Sequence, residues 1–142
     1  MTAYLGLGSN LGDRKHHIHS AVEALRQSGI TIEKISTIIE TEPQGGPPQG
    51  RFLNAVCAAR TELSPEDLLA HVKNIEKRLG RTPSVRNGPR TIDIDILFYD
   101  RLRLKTEQVT IPHPRIRQRP FILNPMREIA PAFLQEYLDE DH

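Results

Sequence analysis

The amino-acid sequence predicts an α+β sandwich in which an antiparallel sheet carries helices on one face. Two segments with helical spacing alternate with β-rich segments in the order βαββαβ, and Pro/Gly-rich stretches separate the elements. Residues 30 to 62 supply two successive strands with no helix between them. A doubly wound parallel sheet needs crossover helices, so it fits less well. The second face of the sheet is therefore expected to be open for a ligand.

The first half of the chain begins with a short predicted strand, AYLGLG, at residues 3–8. Apolar residues then recur at helical spacing from Asp13 to Ser28, and Gly29 follows as a C-terminal stop. Residues 30–41 are rich in β-branched side chains, which predicts one strand. The next ten residues, EPQGGPPQGR, hold three Pro and three Gly and predict a long loop.

The second half begins with a predicted strand from Phe52 to Glu62. Ser64 and Pro65 are then typical of a helix start, and Gly80 ends that helix. A second loop, RTPSVRNGPR, leads into the alternating strand TIDIDILFY. Asp100-Arg101 predicts a turn into a short hairpin through LRLK, and a C-terminal helix is expected around 126–129.

Length and composition restrict the class of protein. A chain of 142 residues and 16.1 kDa predicts one domain, residues 1–142. The longest apolar run, Ala55 to Ala59, is far shorter than the ~20 residues that a membrane span needs. The start lacks the pattern of a secretory signal, so a cytoplasmic location is expected. A single cysteine, Cys57, excludes an internal disulfide and a CxxC site.

The net charge is +1, but the charges are unevenly distributed. Residues 73–119 carry twelve Lys and Arg against five Asp and Glu, whereas the rest of the chain carries seven against thirteen. A basic segment interrupted by acids suits a polyanionic small molecule held with a metal ion. A uniformly basic face would instead suit nucleic acid. The expected partner is a phosphate-bearing small molecule.

Asp93 and Asp95 are the most informative pair in the sequence. On a strand, alternate side chains share a face, so Ile92, Ile94 and Ile96 point into the core while the two acids point away from it. Two carboxylates about 7 Å apart repel each other unless a cation lies between them. Mg²⁺ with a triphosphate meets that need. The alternative is an exposed strand face whose acids pair with arginines.

Basic residues flank this acidic strand on both sides. Arg90 lies three residues before Asp93, where its guanidinium is expected to bind phosphate oxygens or, alternatively, to pair with an aspartate. The other bases in the two flanking segments are Lys73, Lys77, Arg81, Arg86, His113, Arg115, Arg117 and Arg119. Although several of them must be ordinary surface groups, their density predicts a phosphate clamp.

Phe52, Asn54 and Phe121 suggest a site for a flat heterocycle. Phe52 and Asn54 share a strand face beside the first loop, and Phe121 follows the basic tract. Two aromatic rings can sandwich a heterocycle while a carboxamide offers its edge a donor and an acceptor. The alternative is that both phenylalanines belong to the core.

Two other patterns are assigned structural roles. The segment GLGSNLG contains Gly6, Gly8 and Gly12. It matches neither of the two nucleotide-loop patterns, GxxxxGK(S/T) and GxGxxG, so a strand-to-helix turn is preferred. His16, His17 and His19 do not share one helix face, so a zinc site is not expected there.

Several motifs, taken together, resemble the 6-hydroxymethyl-7,8-dihydropterin pyrophosphokinases. They are GSNLGD, FLNAV, IEKRLGR, RNGPRTIDIDILFY, and IPHPRI with RPFIL, and they extend over almost the entire chain. The resemblance implies a ferredoxin-like fold. It also implies Mg-dependent transfer of the β,γ-pyrophosphoryl unit of ATP to the hydroxymethyl group of the pterin, releasing AMP, in folate biosynthesis.

The resemblance also implies roles for single residues. Asp93 and Asp95 are expected to hold two Mg²⁺ ions, with Arg81 and Arg90 as catalytic partners. The residues expected to handle ATP are Lys73, Glu76, Arg81, Arg90, His113 and Arg119. Asn54 is expected to read the pterin edge and Phe52 and Phe121 to stack on its faces. Thr41 and Gln44 would contribute largely backbone contacts.

The sequence departs from the family pattern in the second loop and beyond it. Some members carry a tryptophan where Asn87 stands. Some carry an additional arginine within the segment that corresponds to 82–86, and this loop is one residue shorter than theirs. Many have a tyrosine where Pro114 stands. These differences predict altered loop closure and affinity rather than a different reaction.

Two other classes of function remain open from the residues alone. A ferredoxin-like RNA-binding module would use the open sheet face, but aspartates there would repel phosphate, and such modules usually present aromatic residues on their central strands. A metal-dependent nuclease or phosphohydrolase would also use two aspartates. We expect a monomer that binds pterin and ATP and neither nucleic acid nor membrane.

Overall fold

The structure is a computed structural model that describes residues 1–42, 49–80 and 91–140. The elements in chain order are β1 (Thr2–Ser9), α1 (Arg14–Gln27), β2 (Thr31–Ile35), β3 (Ile39–Thr41), β4 (Phe52–Arg60), α2 (Pro65–Arg78), β5 (Asp93–Tyr99), β6 (Leu104–Lys105), β7 (Thr110–Ile111), a 3-10 turn (Ile116–Gln118), α3 (Pro120–Ile129) and α4 (Pro131–Asp139). In these ranges, no helix combines the length and the apolar character that crossing a membrane requires.

The main sheet has the strand order β2-β4-β1-β5, and β3 pairs with β4 beside β2. Every pairing in it is antiparallel. β1 is central and pairs with β4 on one side and β5 on the other. The predicted α+β class with an antiparallel sheet is confirmed.

Local signals at the helix ends explain where α1 and α2 begin and stop. Asp13 accepts a hydrogen bond from the His16 backbone N–H at 3.2 Å, and Ser64 accepts one from that of Asp67 at 3.1 Å. After each helix a glycine takes positive φ, +85° at Gly29 and +90° at Gly80. Both helices therefore form where the sequence predicts them.

Helices cover one face of the sheet and part of the other. α1 and α2 pack on the first face against alternate residues such as Leu5, Leu7 and Ile94. α3 and α4 pack on the second face against Val56, Ala58 and Leu97, among others. The prediction that helices lie on one face only is wrong, because α3 and α4 place apolar residues on the second face. What remains of that face is a cavity.

Residues 30–41 form two strands instead of the single predicted one. Ser36 still bonds to β4, since its N–H donates to the Val56 carbonyl and its hydroxyl accepts from the Val56 N–H, each at 2.9 Å. The Thr37 N–H instead donates to both carboxylate oxygens of Glu128 on α3, at 2.9 and 3.1 Å. Pairing with β4 is therefore interrupted there and resumes at Ile39.

The C-terminal third departs from the prediction in two respects. The predicted turn at Asp100 forms, but LRLK does not pair back onto β5; Leu104 and Lys105 pair with β7. Two helices follow instead of one. Each begins with proline in its first turn, at Pro120 and Pro131, where the missing N–H costs no hydrogen bond.

Candidate active site

The acid pair lies on β5, the edge strand of the sheet. Asp93 and Asp95 are half-buried on the second face, while Ile92, Ile94 and Ile96 are buried on the first. This alternation is the one that the sequence predicts. Because β5 is an edge strand, the two carboxylates lie at the border of the sheet.

Two glycines of β1 separate the acids from β4. Gly8 pairs with Asn54 of β4 and with Asp93 of β5, and Gly6 pairs with Val56 and Asp95. Neighbouring strands lie about 4.8 Å apart, so Asn54 and Asp93 are about 10 Å apart across a strip of bare backbone. The absence of side chains at Gly6 and Gly8 leaves room for a ligand between an amide and a carboxylate.

A cavity of about 130 Å³ lies over this strip. Predicted site residues that line it are Thr41, Phe52, Asn54, Asp93, Asp95, Arg119 and Phe121. They come from β3, β4, β5 and the start of α3. The structure thus brings together side chains that are up to 80 positions apart in the chain.

The apolar part of the cavity joins two elements. Phe52 comes from the beginning of β4 and Phe121 from the first turn of α3, and both are half-buried. The Arg119 guanidinium lies over the Phe121 ring, 5.5 Å from its centroid. A positive charge over an aromatic face is favourable. The arginine and the ring therefore form one unit at the mouth of the cavity.

The polar part of the cavity contains a short hydrogen bond between two strands. The Asn54 Nδ2 donates to the Thr41 hydroxyl at 2.5 Å. Asn54 lies on β4 and Thr41 on β3. The carboxamide is thus held in place at the cavity wall.

Asp95 is in an environment that disfavours its charged form. Burial, then the neighbouring charge of Asp93 and that of Glu76, raise its pKa to about 7, although Lys73 and Arg119 act in the opposite direction. A positive charge placed near Asp95 would stabilise the ionised form of its carboxyl group. The site therefore has a strong electrostatic preference for a cation or a proton.

Glu76 and Lys73 lie behind the acid strand rather than in the cavity lining. Glu76 is 1% exposed, and its Oε2 accepts the Ile94 backbone N–H at 2.8 Å while its Oε1 lies 3.4 Å from the Lys73 ammonium. The Ile94 N–H belongs to the outer edge of β5, where no further strand of the described residues pairs with it. Glu76 therefore accepts the hydrogen bond that this edge N–H would otherwise lack and holds β5 against α2.

His113 lies close to the site but lines a different groove, beside β7 and the C-terminal helices. Its backbone N–H donates to the Leu97 carbonyl at 3.0 Å. Burial, followed by the positive charge of Arg119, lowers the pKa of the ring, and Asp93 opposes the change. Its Nδ1 is buried and lacks a hydrogen-bond partner within the described ranges. The imidazole is thus expected to be neutral.

Three predicted site residues, Gln44, Arg81 and Arg90, lie outside the described residues, as do Asn87 and the shortened segment 82–86. Pro114 lies within the described residues and is exposed. In the three described ranges, no three His, Cys, Asp or Glu side chains assemble into a metal-binding group. The acid pair therefore has no third protein ligand of these types there.

Sequence reasoning missed Gly6 and Gly8 as parts of the site, because it assigned the glycines to a strand-to-helix turn. A signal was available. The two glycines alternate with Leu5 and Leu7, so one face of the strand is apolar and the other has no side chain at all. A central strand with such a bare face leaves space for a ligand.

Comparisons with known proteins agree on one family. The family model for 7,8-dihydro-6-hydroxymethylpterin-pyrophosphokinase (HPPK) matches residues 4–131. A 2-amino-4-hydroxy-6-hydroxymethyldihydropteridine pyrophosphokinase of Bacillus subtilis is 47% identical over 129 residues, which cover 90% of this chain and 77% of that protein. One of the same name from Aquifex aeolicus is 46% identical over 130 residues, covering 92% and 81%.

Longer proteins also contain a similar segment. The mitochondrial folate synthesis bifunctional protein of Pisum sativum is 45% identical over 125 residues, or 88% of this chain and 24% of the plant protein. A crystal structure described as HPPK-DHPS in complex with substrates has a TM-score of 0.66 at 18% identity, over 92% of this chain and 40% of the solved one. That likeness bears on the fold alone. On the family match and the two bacterial relatives, this chain belongs to the 7,8-dihydro-6-hydroxymethylpterin-pyrophosphokinase family.

Proposed function

We propose that this chain transfers the pyrophosphoryl group of ATP to the hydroxymethyl oxygen of 6-hydroxymethyl-7,8-dihydropterin and releases AMP, a step of folate biosynthesis. The bond between the hydroxymethyl oxygen and the β-phosphorus forms as the bond from that phosphorus to the α-phosphate oxygen breaks, and the hydroxyl proton is released to solvent. One observation carries the proposal: an amide and an acid pair face each other across the bare backbone of Gly6 and Gly8.

The pterin is assigned to the end of the cavity that contains Phe52, Asn54 and Phe121. A flat heterocycle between the two rings would bury its faces, and the Asn54 carboxamide would read its edge. Its hydroxymethyl group would then extend over Gly8 towards Asp93. Gln44 and the backbone of Thr41 are assigned to the same end from the sequence.

Asp93 and Asp95 are assigned as ligands of two Mg²⁺ ions. The fit rests on the donor chemistry: two repelling carboxylates on one face, without a third protein ligand among the described residues, leave positions for phosphate oxygens and water, which Mg²⁺ prefers. When bound, the ions would neutralise charge on the triphosphate and stabilise the departing oxygen.

The remaining residues of the chain are assigned to positioning and charge. Arg119, together with Arg81 and Arg90 from the sequence, would bind phosphate oxygens through guanidinium hydrogen bonds. Lys73 and Glu76 would act from behind β5, since Glu76 holds the backbone between the two acids. A neutral His113 would offer a hydrogen bond without adding charge.

Further assignments accompany this function. We propose that residues 1–142 form a single domain, that the sheet has ferredoxin-like topology, and that the chain acts as a cytoplasmic monomer. The strand order β2-β4-β1-β5 with its antiparallel pairings supports the topology.

Incubation of the purified protein with ATP, Mg²⁺ and 6-hydroxymethyl-7,8-dihydropterin tests the function. AMP should appear only when all three are present. ATP hydrolysis without pterin would point to a phosphohydrolase, and the absence of any turnover would refute the proposal.

Asp95→Ala should abolish AMP formation, while Glu107→Ala, which removes an exposed carboxylate from another part of the surface, should leave it unchanged. The far-UV circular dichroism of both variants should match that of the unaltered protein. Near-normal turnover by folded Asp95→Ala would contradict the assignment of the acid pair.

A further inference from the structure

The side chain of Thr41 lies at the point where β3 meets the cavity. Its hydroxyl accepts a hydrogen bond from Asn54 Nδ2 at 2.5 Å, and both residues are half-buried and line the cavity. The family resemblance assigns largely backbone contacts to Thr41. The structure gives its side chain a partner in the site.

The strand register explains why this contact forms. In the β3–β4 pair, Ile39 is opposite Asn54 and Thr41 is opposite Phe52. Thr41 and Asn54 are thus diagonal neighbours on one face, within the reach of short polar side chains. β-branched threonine is restricted about χ1, which limits the positions that its hydroxyl can take.

The opposite side of the amide is bounded by Gly8. A Cβ at Gly8 would lie only 3.1 Å from Asn54 Oδ1, so the carboxamide rests directly above the glycine backbone. The terminal torsion of asparagine is broad when no contact restricts it. Here the Thr41 hydroxyl on one side and the Gly8 backbone on the other restrict the plane of the amide.

One donor and one acceptor of Asn54 remain for a ligand. The amide group has two N–H donors and an acceptor oxygen, and Thr41 takes one of the donors. The remaining N–H and the Oδ1 can serve a heterocycle that presents an adjacent acceptor and donor on one edge. Without the Thr41 hydroxyl, the plane of the amide would be free to rotate. The remaining N–H and the Oδ1 of Asn54 would then no longer be held in the orientation that the heterocycle edge requires.

We propose that Thr41 is a positioning residue: its hydroxyl orients the Asn54 carboxamide and thereby determines how selectively the site binds a heterocycle with an adjacent donor and acceptor. This proposal rests on the proposed function and goes beyond it, because it assigns selectivity to a side chain that would not touch the pterin edge itself.

Thr41→Val tests the proposal, because valine keeps the shape and the β-branching and removes only the hydroxyl. The KM for the dihydropterin should rise by roughly tenfold, because the Asn54 amide loses the contact that holds it in its binding orientation before the pterin arrives. Thr41→Ser keeps the hydroxyl and should stay within about threefold of the unaltered protein. The binding of a nonhydrolysable ATP analogue and the far-UV circular dichroism should not change in either variant, whereas the lost hydrogen bond should slightly lower the Tm of Thr41→Val.

A double-mutant cycle with Asn54→Ala separates positioning from a direct or structural role. If Thr41 acts through Asn54, Thr41→Val should have no further effect on pterin affinity in the Asn54→Ala background, measured by calorimetry. Selectivity gives a second readout. The preference for the dihydropterin over its analogue without the 2-amino group should be large in the unaltered protein and should shrink in Thr41→Val.

The results that would overturn the inference are distinct from those that would overturn the function. No AMP formation by the unaltered protein removes the proposed function. Normal turnover together with an unchanged KM and unchanged selectivity in Thr41→Val overturns the positioning role alone. Equal losses from Thr41→Val with and without Asn54 also overturn it, as does a parallel loss of ATP-analogue binding.

Discussion

The two faces of the sheet are built from the same strands and differ in character around the cavity. At β5, Ile94, Ile96 and the preceding Ile92 face the helices α1 and α2, and Asp93 and Asp95 face the cavity. On β1 the leucines 5 and 7 face the helices and the glycines 6 and 8 face the cavity. The period of two along a strand thus allows one face to carry stability and the other to carry a site.

The comparison predicts that substitutions on neighbouring residues of one strand have opposite effects. A residue on the helix face should affect the free energy of unfolding much more than turnover. A residue on the cavity face should affect turnover while leaving stability unchanged or increased, because its charge is desolvated in the folded protein.

The largest effect on function is expected for Asp95→Asn. Turnover should fall on the order of 10²-fold or more, as for other losses of transition-state stabilisation. The measurement is the rate of AMP release at saturating substrates. A fall of less than tenfold would contradict a role at the reacting group.

The same variant tests the electrostatics of the cavity face in protein freed of metal by EDTA. In the folded state the pKa of Asp95 is raised to about 7 from 3.8, so the folded protein holds the proton more tightly than the unfolded chain does. Its contribution to the free energy of unfolding should therefore fall as the pH rises from about 4 to about 7. The free energy of unfolding, measured by urea denaturation at both pH values, should show this fall in the unaltered protein and not in Asp95→Asn.

On the helix face, Ile94→Ala should lower the free energy of unfolding by about 2–5 kcal/mol, since a buried side chain is replaced by a cavity. Urea denaturation measures the effect. The milder Ile94→Val is the matched control and should cost about 0.5–1.5 kcal/mol. A strong loss of turnover in Ile94→Ala without a fall in the free energy of unfolding would contradict the proposal that the helix face contributes stability and the cavity face contributes function.

Glu76→Ala should have a smaller effect on stability, about 1–3 kcal/mol, because it leaves the buried Ile94 N–H without its acceptor. Glu76→Gln retains an acceptor oxygen and should cost less. Hydrogen exchange at the Ile94 amide gives a direct measurement. Equal protection of this amide in both variants would argue against the edge contact.

The smallest effect is expected at the floor of the cavity. Gly8→Ala places a Cβ 3.1 Å from Asn54 Oδ1 and should raise the KM for the pterin about tenfold by displacing the amide. Gly6→Ala also adds a methyl group to the cavity floor but is expected to be milder, because its Cβ would meet the Leu97 side chain at an ordinary 3.5 Å and would not displace the amide. Steady-state kinetics should rank Gly8→Ala as the more damaging substitution.

Much of this arrangement could be predicted from local patterns. The alternation at 92–96 placed the acids on the face opposite the isoleucines, and Ser64, Pro65 and Gly80 marked the ends of α2, because these signals depend on neighbours in the chain. The interruption at Thr37 was not predictable in this way. It depends on Glu128, which is 91 positions away and reaches Thr37 only after α3 has packed.

The sequence by itself determined which residues share a face, where α1 and α2 begin, and which side chains have the chemistry for a flat heterocycle and a phosphate-bearing ligand. Only the tertiary structure decided that α3 and α4 cover part of the second face, that Gly6 and Gly8 separate Asn54 from the acids, and that Thr41 holds the Asn54 amide. The physical reason is range. Periodicity and capping act over a few residues, whereas strand order and helix packing join residues that are tens of positions apart.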